Sequence, residues 1–283
     1  MAVAIGTEVY NVDHLRVVAR GRSHTAAQRD AALNSDVRSL VRDTAGATKA
    51  AALAAGLNLT GFQSGNLNAV LNSGSPPKDW EVGEAYGEAY LGAHKQCHFP
   101  WSDRWDERKD KSSLPGSDLV GLQETGTAKS LSFRFAFGEV KTSTELKYPP
   151  GVLYGKEGLK KQMEDLRDQR EIRNTLVRYL TMRAQGADWE PHFKLALVRF
   201  LTESTDVAIY GVLIRDVPPH EDDLRARSKN IAQKHPAQMH IELLAIYLPS
   251  DSISLLGKKF ASAAGTKAPT TPSLKSKPKK GGK

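Results

Sequence analysis

The chain has 283 residues, 40% hydrophobic and 25% charged, with a formal net charge of +8. That balance is ordinary for a soluble globular protein and is enough to bury a full core, as one large domain or one domain with an appendage. No apolar run approaches the roughly 18 to 20 residues that cross a bilayer, MAVAIGTEVYNVD lacks the basic start and apolar stretch of a signal peptide, and a single Cys97 excludes an internal disulfide framework, so the expectation is a cytoplasmic protein with no membrane partner.

From the N-terminus, HLRVVAR at His14–Arg20 reads as a strand. The Ala-rich stretch Ser23–Ala55 carries Leu33, Val37, Leu40 and Val41 near helical spacing and predicts one or two helices. The segment GLNLTGFQSGNLNAVLNSGSPP is dense in Gly, Asn and Ser, ends in Pro76-Pro77, and reads as a loop. It closes an N-terminal subdomain over residues 1–78. The serine in GFQSG lacks the flanks of G-x-S-x-G, so no nucleophile elbow is present there.

Asp79 is placed to cap a helix from Trp80 to about Ala93, with acids in the first turn where the dipole favours them. Val82, Ala85, Tyr86 and Ala89 form its apolar face. Glu84 and Glu88 stand one turn apart on a common stripe. They are either a solvated face or carboxylates offered to a neighbouring site. His94, Cys97 and His98 lie close together, but no second spaced pair follows, which argues against a structural zinc site. DRWDERKDK reads as a solvated loop, and Pro115 directly precedes the next strand.

Side chains of a strand alternate faces, so in LSFRFAFGEVKTS, Leu131–Ser143, a single face carries Phe133, Phe135, Phe137, Glu139 and Lys141. Three aromatics mark that face as core, and two opposite charges then continue it. Burying a lone carboxylate costs several kcal/mol, and a paired one is a weak source of stability. In SDLVGL, Ser117–Leu122, Asp118 shares a face with Val120 and Leu122, and Gly126 in the connection predicts a hairpin. The hairpin brings Asp118 beside Glu139 and Lys141 at one end of a sheet: two carboxylates and an ammonium, a set suited to a magnesium-dependent phosphodiesterase.

Pro115-Gly116-Ser117-Asp118 followed by Glu139-Val140-Lys141, twenty-one positions after the aspartate, resembles the PD-(D/E)XK nuclease superfamily with its restriction-endonuclease-like fold. The resemblance spans roughly residues 80–250. It implies Asp118 and Glu139 as ligands of Mg2+ (or Mn2+), the carbonyl of Val140 as a further ligand, Glu84 or Glu88 completing the shell, and Lys141 as the catalytic cation. In several branches a glutamine on the following helix reaches the site. Here Lys156–Arg183 reads as one long helix, and Gln162 lies at the edge of its Leu159/Met163/Leu166 face. The fourth residue after Gln162 is Leu166, a departure from the Q-x-x-x-Y of the exonuclease-like branch. Within the superfamily, GEVKTS after a G-E helix motif and before a lysine-rich amphipathic helix is most similar to the HamA family, the nuclease subunits of Hachiman antiphage defence systems. That similarity implies DNA as substrate and a helicase partner of the HamB type.

His192–Leu201, Val207–Val217 and His240–Leu248 are rich in Val, Ile, Leu and Phe and read as further strands, with a short helix at Asp222–Lys234. The expected fold is therefore α/β: a restriction-endonuclease-like mixed sheet flanked by helices over residues 79–256, with an N-terminal helical/strand extension. Residues 257–283 hold eight lysines and no acid, which leaves residues 1–256 formally neutral. Such a tail cannot bury enough apolar area to order itself; it either grips phosphates loosely or solubilises the chain. Two further readings stay open on the same residues: a stand-alone restriction or junction-resolving endonuclease, and a non-catalytic module that only binds DNA or a partner.

Overall fold

The computed structural model describes residues 2–57, 59–71, 77–101, 116–127 and 130–258. Pro115, the DRWDERKDK run and the tail beyond Lys258 lie outside these. The strands are β1 (Thr7–His14), β2 (Val17–Ser23), β3 (Cys97–His98), β4 (Leu119–Glu124), β5 (Phe133–Ser143), β6 (Val207–Arg215) and β7 (His240–Tyr247). They form a single mixed sheet in the order β1-β2-β7-β6-β5-β4-β3. β2, β7, β6 and β5 are mutually parallel, and antiparallel hairpin partners extend both edges. Central β6, VAIYGVLIR, is buried at every position, as expected of a parallel strand covered on both faces.

The helices are α1 (Ala26–Leu33), α2 (Asp36–Val41), α3 (Thr44–Ala55), α4 (Gly61–Leu71), α5 (Asp79–Lys95), α6 (Leu159–Asp168), α7 (Arg170–Ala184), α8 (Glu190–Thr202) and α9 (Arg225–Ala232). One face of the sheet packs Phe133, Phe135 and Phe137 against α6, α7, α8 and α9 through Leu159, Met163, Leu176 and Phe193. The other packs Ala136, Val140, Val212 and Ile214 against α1, α2 and α5 through Ala32, Val37, Val82 and Tyr86. The result is a three-layer α/β fold. Phe135 is fully buried, with Phe193 and Phe200 edge-on at 5.7 and 5.6 Å; burial of such a ring stabilises by about 1.5–3 kcal/mol.

Several local expectations are corrected. HLRVVAR is not one strand but the end of β1, a turn and the start of β2, with exposed Leu15 in the left-handed region at φ 59. The Gly/Asn-rich segment contains helix α4, entered through a mutual cap in which Gln63 N–H donates to Thr60 Oγ1 and Thr60 N–H to Gln63 Oε1. The N-cap of α5 is Lys78, whose N–H donates to Glu81; Asp79 is the first helical residue and accepts instead from Gly257 N–H. Lys156–Arg183 is two helices broken at Gln169, because buried Arg173 donates to the last carbonyls of α6, Leu166 O and Arg167 O, at 2.6 and 2.7 Å. His192–Leu201 is helix α8, not a strand: Phe193, Ala196 and Phe200 are buried at helical spacing, and Pro191 sits in the first turn, where a missing N–H costs nothing. The sheet also crosses the boundary expected at residue 78, since β2 pairs with β7 along its whole length.

Candidate functional site

β5 outruns its antiparallel neighbour. Pairing with β4 ends at Leu119 opposite Gly138, so Glu139–Ser143 have β6 on one side only. The two residues before β4 take over the open side with their side chains. Ser117 Oγ donates to Gly138 O at 2.8 Å, and Asp118 Oδ2 accepts from Val140 N–H at 2.8 Å. A charge-assisted bond to a backbone amide is strong and directional, and it fixes the Asp118 carboxylate beside Glu139.

Glu139 is fully buried. Lys141 Nζ donates to its Oε1 at 2.6 Å, while Oε2 is shut from solvent without a hydrogen-bond partner. Burial first, then the charge of Asp118, pushes the Glu139 pKa up to about 8, against the pull of Lys141. Burial alone would depress the Lys141 ammonium, but Glu139, Asp118 and, in smaller measure, Glu84 outweigh it and hold its pKa above the ordinary lysine value. Next to one ammonium the Glu139 carboxylate would ionise readily; the second carboxylate and the dry surroundings tip it toward keeping a proton. The cluster thus has two acids and one ammonium, and a proton on Glu139 stands where a second cation is missing.

Glycine at 211, opposite Glu139 on β6, lets the overlying elements approach. A Cβ there would meet Leu243 at 2.7 Å and Met163 of α6 at 3.1 Å. Gln162, the neighbour of Met163, is half-buried, and its Oε1 is a further enclosed oxygen without a hydrogen-bond partner. No hydrogen bond among the described residues links Gln162 to Asp118, Glu139 or Lys141. On α5, Gly83 lies over Thr142 and Gly87 over Val140. Of that helix's two acids, Glu84 contributes to the field at Lys141. The structure therefore gathers Asp118, Glu139, Val140 and Lys141, brings Glu84 within electrostatic reach, and sets Gln162 on the helix above.

Among the described residues no set of three or more His, Cys, Asp or Glu side chains is gathered to hold a metal ion. Magnesium commonly takes only one or two carboxylates and keeps several waters. Asp118 and Glu139 meet that requirement, and the unpartnered Oε2 of Glu139, held against a second carboxylate, is the oxygen that a hard cation relieves. His94, by contrast, is engaged with Val3 O at 2.8 Å, and burial pushes the Cys97 thiol up to about 12, far from the low value of a reactive thiolate.

Sequence reasoning missed the residues that build the floor next to this cluster. Arg215, fully buried one pleat beyond on β6, sends Nη2 to Glu145 O and Lys147 O at 2.9 and 3.0 Å and faces Asp223 at 3.4 Å. Tyr247 O–H donates to Asp223 Oδ2 at 2.8 Å. These contacts pin the segment leading from β5 to α6. An arginine closing an otherwise apolar strand was the available signal. No helix among the described residues is long and apolar enough to cross a membrane. No protein-family model matches the chain, and no curated protein is similar to it in sequence.

Proposed function

We propose that the chain is a divalent-metal-dependent deoxyribonuclease of the PD-(D/E)XK type on a restriction-endonuclease-like sheet, hydrolysing phosphodiesters in DNA. The observation that carries this reading is the cluster at the free end of β5: Asp118 and Glu139 side by side, Glu139 Oε2 unpartnered, and Lys141 2.6 Å from Oε1. Asp118, Glu139 and the carbonyl of Val140 would hold Mg2+ (or Mn2+), with Glu84 or Glu88 of α5 completing the shell; Glu84 already acts on Lys141. When bound, the ion supplies positive charge beside the scissile phosphate and favours ionisation of water. Lys141 orients the attacking water and neutralises charge building on the non-bridging oxygen, a preorganised donor in a low-dielectric site. Asp118 stays in place because Val140 N–H holds its other oxygen.

The motif's similarity to the HamA family makes this nuclease the effector of a cytoplasmic antiphage defence complex in which a helicase of the HamB type delivers DNA. A formally neutral body over residues 1–256 suits such delegation. The test is cleavage of plasmid DNA by purified protein in Mg2+, with EDTA as control, alone and with the helicase subunit. Cleavage lost in Asp118→Ala and Lys141→Ala supports the reading. Cleavage retained in either variant discards Asp118 and Lys141 as the catalytic groups, and a protein that neither cleaves in Mg2+ nor binds divalent metal at the cluster is a module that only binds. Tight DNA binding and full cleavage without a helicase leave a stand-alone restriction or junction-resolving enzyme.

A further inference from the structure

A cavity of about 300 Å³ opens between the start of α6 and α9, lined by Tyr154, Lys160, Lys161, Glu164 and Arg227 among others. None of these belongs to the Asp118–Glu139–Lys141 cluster. Three cations and one acid leave the lining with a net positive charge. Lys160 is matched by Glu164 at 2.8 Å, and Lys161 by Asp165 on the next position of the helix. Arg227 is different. Its guanidinium lies over the Tyr154 ring at 4.4 Å, and its Nε is shut from solvent with no hydrogen-bond partner. No carboxylate pairs with it among the described residues. A buried donor without an acceptor is unfavourable until something accepts from it, and stacking on Tyr154 already holds the planar fork in one orientation.

The topology adds to this. α6 begins where the chain leaves β5, and α9 where it leaves β6, so the cavity lies at the carboxyl edge of the parallel strands, the edge toward which β5 carries Lys141. Gly158 gives α6 no side-chain cap, so the first-turn amides of that ten-residue helix add to the positive field. A planar bidentate donor, two ammonium groups and uncapped amides are the chemistry that takes a phosphate group.

We propose that this cavity is a second phosphate site, Arg227 its principal ligand, and that the phosphate comes from the backbone of the nucleic acid processed at Asp118–Glu139–Lys141. The source rests on the nuclease reading; the phosphate chemistry does not. The experiment is fluorescence anisotropy of a short labelled DNA duplex in EDTA, where cleavage chemistry is silent, with thermal melting in inorganic phosphate alongside. Arg227→Ala weakens duplex affinity about three- to tenfold and makes the log–log salt slope shallower by about 0.9, the loss of one phosphate contact. Lys161→Gln, at a half-exposed side chain on the surface of α6, weakens it in the same direction and covers the case in which Arg227→Ala melts early. Stabilisation by inorganic phosphate that is lost in Arg227→Ala, with duplex affinity unchanged, keeps the site and assigns it to a free phosphate ester. Unchanged duplex affinity and salt slope in both variants, with no Arg227-dependent effect of phosphate, overturn the proposal. Failure of the nuclease reading shows separately, as cleavage that survives Asp118→Ala or is absent from the unaltered protein, and leaves these binding measurements standing.

Discussion

Two ionised clusters stand one pleat apart on the same face of β5 and β6, and they are built in opposite ways. Around Arg215 the charges balance: one guanidinium faces one carboxylate, Asp223, and two carbonyls and the Tyr247 hydroxyl take up most of the remaining bonds. Arg215 Nε and Asp223 Oδ1 each lack a hydrogen-bond partner, yet no net charge is left over. Around Lys141 two carboxyl groups share one ammonium, Glu139 is pushed to keep a proton where a second cation is missing, and a buried oxygen is unmet. Balanced and enclosed groups hold a loop in place. An unbalanced group at an open strand end is arranged for something that arrives, and the missing charge is positive.

The comparison breaks most visibly through the balanced cluster. Arg215→Ala leaves Asp223 buried without its cation and frees two carbonyls, so it should destabilise the protein by about 3–5 kcal/mol, read from urea unfolding. A loss below about 1 kcal/mol would mean that Arg215 does not hold the segment after β5. Lys141→Ala is expected to do the reverse: cleavage falls by about a hundred- to a thousandfold, the scale of one preorganised donor, while the melting temperature near neutral pH changes little because Glu139 already holds a proton and is not left as a bare buried charge. If unfolding and activity fell together in Lys141→Ala, both clusters would be structural and the distinction would disappear.

How much of this was legible beforehand differs from element to element. β5 and β4 announced themselves because their signal is local: three aromatics at period two, then charges on the same face, with Asp118 one hairpin away. Strand register puts Glu139 and Lys141 on one face with Asp118 at the end of the hairpin, and the bond from Val140 N–H, which the sequence does not show, completes the placement of Asp118. α8 was misread because Phe193, Leu197, Val198 and Phe200 have strand-like composition, although the spacing of the buried residues is helical. The break between α6 and α7 is invisible locally, since it depends on Arg173 reaching back to carbonyls six and seven residues away. Gly211 and Ser117 carried no chemistry of their own in the sequence; their roles exist only once β6 and β4 lie beside β5. Arg227 acquires its meaning the same way, from Tyr154 on a segment 73 positions earlier.

A smaller effect sharpens the contrast. Glu139→Gln keeps the shape and a hydrogen bond to Lys141 but removes the acid that Asp118 repels. It should leave stability unchanged or raise it by about 1 kcal/mol, the usual sign when a functionally strained group is relieved, while the midpoint shift on adding Mg2+ disappears. A melting temperature lowered by several degrees would show that the Glu139–Lys141 pair is a net stabiliser like Arg215–Asp223.

The pH dependence of folding separates the clusters without any loss of activity to measure. The folded-state pKa of Glu139 lies near 8, above its unfolded value of 4.5. A group raised in this way contributes stability that is complete below 4.5 and is lost as pH climbs through 8, because the native state holds a proton that the unfolded chain has already released. In EDTA, unfolding free energy should therefore fall between pH 6 and pH 8.5, by at most about 1.4 kcal/mol per unit. Lys141 adds no slope there, since its shift lies upward from an already high value and it is charged in both states across that range. Asp223 is also raised, by burial, so it adds a slope of the same sign beginning nearer pH 4. The two are told apart by substitution. Glu139→Gln should flatten the curve between pH 6 and pH 8.5, and whatever slope Asp223 adds is removed separately by Asp223→Asn. Mg2+ favours ionised Glu139 and should flatten the same region in the unaltered protein. An unaltered slope in Glu139→Gln would place the buried proton elsewhere and remove the electrostatic reason for expecting a cation beside Glu139.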